Sequence, residues 1–141
     1  MNTNLNIIPF NLCKKLKEIN FSYYCDYYYD NNGNLQHTLE YKDWNLDEDK
    51  ISAPHAFIVC QWLRNEHEID LFACRLTNIT TPMLGYTYAI FCEGEVEPIT
   101  SDYPEESYEL ALLKGIEFFC KNVKVENKDD KNNEQTEQWL G

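Results

Sequence analysis

The sequence predicts an α+β fold: an antiparallel sheet built from two β-hairpins, with about three helices packed on one face. Three observations carry this. The turn formers Asp30-Asn31-Asn32-Gly33-Asn34 separate a tyrosine-dense run from a second extended run, which is the strongest hairpin signal in the chain. Two further runs, Ile69 to Leu76 and Leu84 to Cys92, alternate with period two on either side of a polar stretch containing Asn78, Thr80, Thr81 and Pro82. Three other segments repeat apolar residues at helical spacing, and no segment has the length of a parallel crossover. The 141 residues suit one self-sufficient core. We expect a single domain over 1–124 and an acidic, flexible tail over 125–141.

Taken in order, Ile8-Pro9-Phe10 opens a short helix in which Phe10, Cys13 and Leu16 fall at helical spacing and Lys14, Lys15 and Lys17 lie toward the C-terminal end of the dipole. Asn20 ends it. Phe21 to Tyr29 and Leu35 to Tyr41 are the arms of the first hairpin, and the acidic loop after them is expected to tuck Trp44 against the core. Ser52 as N-cap and Pro54 in the first turn then start a helix from Ala53 to Glu66, whose apolar side carries Ile58, Val59, Trp62 and Leu63. This helix feeds the second hairpin. Beyond it, Pro98 allows only a turn or a short edge strand over Glu93 to Pro98. The closing helix has the stripe Tyr108, Leu112, Gly115, Ile116, Phe119 and Val123, with Gly115 placed for close approach to the sheet.

The net charge of −12 is unevenly distributed. Residues 22–50 hold seven acids against two lysines, and residues 93–109 hold seven acids and no base. Such a balance repels phosphate backbones, so direct binding to nucleic acid or to an anionic membrane is not expected. No run approaches the roughly 18 apolar residues of a membrane span, and Met1 to Asn6 lacks the basic and apolar regions of a signal peptide. The expected compartment is the cytoplasm. There the six cysteines, at 13, 25, 60, 74, 92 and 120, read as reduced, buried thiols, since no two have the spacing of a metal knuckle.

No catalytic motif emerges. His67-Glu68-Ile69-Asp70-Leu71 begins like a zinc-protease helix, but Leu71 stands where the second histidine is required. His67 therefore reads as a helix-end residue, and His37 and His55 have no nucleophile pattern beside them. With five glycines, no phosphate-cradling loop can be drawn. We expect no enzyme activity, no cofactor and no metal.

The tyrosine run is the sharper feature. Period two puts Tyr23, Tyr27 and Tyr29 on one strand face and Tyr24 and Tyr28 on the other. Two readings stand for the first row: a protein-binding surface flanked by Asp26 and Asp30, or a wet strand face that carries amphipathic side chains.

The opening Ile-Pro-Phe helix, the aromatic hairpin around Asn-Asn-Gly-Asn, the segment Trp62-Leu63-Arg64-Asn65-Glu66-His67-Glu68-Ile69 and the helix Ser107-Tyr108-Glu109-Leu110-Ala111-Leu112 together carry a resemblance. Over about residues 8 to 124 the chain resembles a family of short proteins encoded by anaerobic gut bacteria and by their phages and prophages. No activity, cofactor or catalytic residue attaches to that family. The six cysteines and the long acidic tail depart from its usual pattern. In that setting the leading expectation is a non-enzymatic protein-binding module, an accessory or anti-defence factor, that meets a basic host or phage protein through Tyr23, Tyr27, Tyr29, Asp26, Asp30, Glu93, Glu95 and Glu97. The alternative is a structural or virion component that assembles with itself.

Overall fold

The computed structural model describes residues 7–76, 85–95, 97–101 and 104–122. It is an α+β chain with, among those residues, three helices and two three-stranded antiparallel sheets. The polar connection over 77–83, the helix end at Val123 and the tail over 125–141 lie outside the described residues. The described residues fall into two compact units, one within 7–8 and 54–116, the other within 9–53 and 117–122. Each of the two hairpins seeds one sheet.

In the unit containing residues 9–53, helix α1 (Phe10–Glu18) buries Leu12, Cys13 and Leu16. It ends in a Schellman motif: Asn20 takes φ 73, its N–H bonds the Lys17 carbonyl, and the Phe21 N–H reaches back to the Leu16 carbonyl at 2.9 Å. That closure holds Phe21 against the helix, so strand β1 begins later than the tyrosine pattern predicts, at Cys25–Tyr29. It pairs with β2 (Leu35–Lys42) on one side and β3 (Ile51–Ser52) on the other. The turn between β1 and β2 is built as read, with Gly33 at φ 82.

Ser52 is not a helix cap. Its backbone pairs with Tyr28 in β3, its N–H donates to Asn45 Oδ1 at 2.8 Å and its hydroxyl accepts from the Asn45 N–H. Pro54 keeps the preceding residue extended. Helix α2 therefore starts three residues later than expected, at Ala56–His67, with His55 as N-cap and no side-chain cap bond.

In the unit containing residues 54–116, α2 buries Ala56, Val59, Trp62 and Leu63 and ends at Glu68, which adopts φ 57, a left-handed conformation usually left to glycine. Strand β4 (Ile69–Leu76) follows at once and pairs with β5 (Gly85–Cys92) across all eight of its residues. A two-residue strand, β6 (Ile99–Thr100), closes the order β4-β5-β6. Helix α3 (Tyr108–Asn122) starts with the Ser107 hydroxyl accepting the Leu110 N–H. Gly115 approaches the sheet as its position in the sequence suggested: a Cβ there would lie 2.5 Å from Leu71 Cδ1 and 3.0 Å from Tyr88 Cβ. The Trp62 and Phe119 rings are both buried.

Candidate interaction surface

The tyrosines of β1 are used mostly inside their own unit. Tyr29 is buried, edge-on to Phe10 with ring centres 5.2 Å apart, and burial pushes its hydroxyl up to about 12. It belongs to the core, and this corrects its assignment to a binding surface. Tyr27 is half-buried and stacks on His37 at 4.4 Å, while Asp26 lies 3.5 Å from His37 Nε2. Tyr23, also half-buried, tilts against Phe21. Asp30 is a turn carboxylate: Oδ1 accepts the Asn32 and Asn34 N–H groups, and these bonds, Asn34 foremost, hold its pKa below the ordinary carboxylate value.

The row breaks up for two local reasons. Cys25 pairs with Lys42 and Tyr27 with His37, so residues 38–41 of β2 bulge out of the ladder opposite Asp26, while Tyr29, in regular register with Tyr27, is covered by Phe10. On the other side of β1, Tyr28 lies over Trp44 at 4.7 Å, with Lys50 Nζ above the tyrosine ring. Trp44 is buried, as expected, and donates its indole N–H to the Cys25 carbonyl at 2.7 Å. Lys17, read as a helix-dipole charge, instead donates to the Asp47 and Lys50 carbonyls at 2.8 and 2.7 Å.

Glu93, Glu95 and Glu97 belong to the other unit, and all three are exposed. Glu93 sits beside Glu68. Their side chains share a hydrogen bond, and that bond and the neighbouring charge raise the Glu68 pKa above its ordinary value. The two acids line an open hollow of about 380 Å³ together with Arg64, Asp70, Phe91 and Cys92. Arg64 Nε donates to Asp70 Oδ1 at 2.8 Å, which neutralises that carboxylate and leaves the Glu68 and Glu93 pair as the acidic feature.

Arg64 also borders a second hollow, of about 410 Å³, and here sequence reasoning missed the main residues. Its floor is Leu71, and around it stand Phe57 of α2, Phe72 of β4 and Tyr108 of α3, respectively 60%, 45% and 47% exposed. Phe72 continues the aromatic surface to Phe91, 39% exposed, edge-to-face at 5.8 Å. One signal was available. Phe57 interrupts the polar side of α2, and Phe72 and Phe91 fall on the strand parity opposite to Leu71 and Ile90, which pack under the helices.

None of the six cysteines forms a disulfide. Cys13, Cys25, Cys92 and Cys120 are buried and Cys60 is half-buried, while Cys74 on β4 is exposed, contrary to its reading as a core residue. Among the described residues no group of three or more His, Cys, Asp or Glu could hold a metal ion, and no helix is long and apolar enough to cross a membrane. No family model, curated protein or solved structure matches the chain.

Proposed function

We propose that the chain is a protein-binding module that receives a basic partner protein on the aromatic side of the unit containing residues 54–116. The observation that carries this is the ring of exposed Phe57, Phe72 and Tyr108 around one hollow floored by Leu71. Solvent-exposed aromatic side chains gathered in a concave, partly apolar site favour burial against another protein, which desolvates them and leaves a polar rim. The sign of the partner follows from charge: residues 54–116 hold ten acids against three bases, a net of −7. Glu68 and Glu93 line the neighbouring hollow, which shares Arg64 with the aromatic one, and a basic partner relieves the repulsion within that pair.

Binding fits better than catalysis because the polar groups at these hollows are engaged with one another, Arg64 with Asp70 and Glu68 with Glu93. Six cysteines without a disulfide suit a reducing, cytoplasmic setting. Affinity capture from the source cells, quantified by mass spectrometry at low and high salt, tests the reading. The double variant Phe57→Ala/Tyr108→Ala should lose at least tenfold of one basic partner, and high salt should slow its capture by the wild type. Loss of that partner on Tyr24→Ala/Tyr41→Ala instead, with the first variant binding normally, would move the site to the other unit and overturn the reading.

A further inference from the structure

Sheet edges are where main-chain hydrogen bonds can be offered to another protein, and the four edge strands among the described residues differ sharply. β3 and β6 are two residues long. β2 is long but bulged over residues 38–41. β4 is eight residues long and in unbroken register with β5, so every second residue turns its N–H and C=O away from the sheet. It lacks the devices that blunt an edge: it contains no proline, no lysine and no bulge, and its middle, Leu71-Phe72-Ala73-Cys74, is uncharged.

We propose that the outer edge of β4 accepts an extended segment of a basic partner protein as an added strand, anchored on Phe72 and steered by the Glu68 and Glu93 carboxylates. This rests on the protein-binding reading above and gives it a mode. The side chains fix the chemistry of the guest. Asp70, Phe72 and Cys74 share one face of β4, so the guest presents an apolar side chain alongside Phe72, where the edge-to-face contact with Phe91 extends the apolar surface. Toward the start of β4, Asp70 is already neutralised by Arg64, and the charge left for the guest is that of Glu68 and Glu93. A lysine or arginine answers it. A second copy of this chain also offers a free β4 edge, but it brings the same net −7 of residues 54–116, and like charges oppose that pairing.

The test uses the whole protein and four fluorescein-labelled octapeptides: alternating Lys-Val, the same peptide methylated on every backbone nitrogen, a scrambled Lys-Val peptide without alternation, and alternating Glu-Val. Alternating Lys-Val should bind by fluorescence anisotropy and protect every second β4 amide from hydrogen exchange. Methylation should weaken it at least tenfold, and Glu-Val should not bind. Phe72→Lys, with the fold checked by circular dichroism, should cost at least tenfold while leaving Phe57 and Tyr108 in place. Equal binding of the methylated or scrambled peptide overturns strand addition but leaves the acidic, aromatic docking surface standing. Binding of no peptide, together with unchanged partner capture by Phe57→Ala/Tyr108→Ala, removes both. Protection of β4 amides that rises with protein concentration alone assigns the edge to a second copy and overturns the proposal.

Discussion

The two units solve the same problem, a hairpin with a two-residue third strand, by different means. Around β1, polar side chains tie backbone to backbone: Asn45 reaches Phe21 and Ser52, Lys17 reaches Asp47 and Lys50, and Trp44 reaches Cys25. Its aromatic rings also meet one another, Phe10 edge-on to Tyr29 and Tyr28 tilted against Trp44, while Tyr27 stacks on His37. Around β4 and β5, helix packing does the holding, with Trp62, Leu63 and Val59 buried and Gly115 close to the strands. There Phe57, Phe72, Phe91 and Tyr108 remain largely uncovered. The tyrosines within β1 thus serve as internal joinery in one unit, where Tyr24 and Tyr41 beyond it stay exposed, whereas Phe57, Phe72 and Phe91 mark the outward face of the other.

The largest effect should come from breaking the packed unit. Trp62→Ala removes a buried indole and should destabilise the protein by about 3–5 kcal/mol, measured by urea denaturation. A change under about 1 kcal/mol would mean that helix packing is not what holds β4 and β5. In the tied unit, Asn45→Ala leaves the buried Ser52 N–H and the Phe21 carbonyl without that partner, each orphaned group costing about 1–3 kcal/mol. Amide exchange at Ser52 should quicken, and a slow, unchanged rate there would show that the ties are decorative.

Smaller effects sharpen the contrast. Gly115→Ala gains about 1 kcal/mol of helix propensity but meets Leu71 and Tyr88, an overpacking of about 1–3 kcal/mol, so a net loss of roughly 1 kcal/mol is expected. A gain would mean that the helix can move away from the strands at little cost.

The smallest effect concerns Glu68, whose left-handed backbone and neighbouring Glu93 both work against it. Glu68→Gly should raise the melting temperature at neutral pH. The sign of the pH dependence follows from the raised carboxyl pKa: the unfavourable charge pairing is complete above the folded pKa and disappears as pH falls below the ordinary carboxylate value. Glu93→Gln should therefore stabilise at about pH 7 and make little difference at about pH 3.5. Stabilisation of the same size at both would place its origin outside the carboxylate pair.

Much of the fold was legible in the sequence because it was written locally. The Asn-Asn-Gly-Asn turn, the alternation that gave β4 its observed bounds and the close approach at Gly115 each follow from a few neighbouring residues. Ser52 misled because a good cap residue is equally a good strand partner, and the choice was made by Asn45, seven positions away. Tyr29 misled because it keeps regular register with β2 together with Tyr27, yet Phe10 of α1, distant in sequence, packs edge-on against it and takes it into the core. The aromatic hollow was hardest to see, since it gathers four residues from α2, two from β4 and two from α3, which come together only in the folded unit.

Cys74 gives the β4 edge a chemical handle. Burial raises the pKa of each of the other five thiols, to about 12 for Cys25 and Cys120 and to about 11 for Cys60, whereas Cys74 stands exposed two residues from Phe72. A maleimide dye or spin label at neutral pH should therefore attach first, and on folded protein almost solely, at this position. The wild-type chain thus carries a built-in reporter, whose labelling rate falls whenever another strand covers the edge.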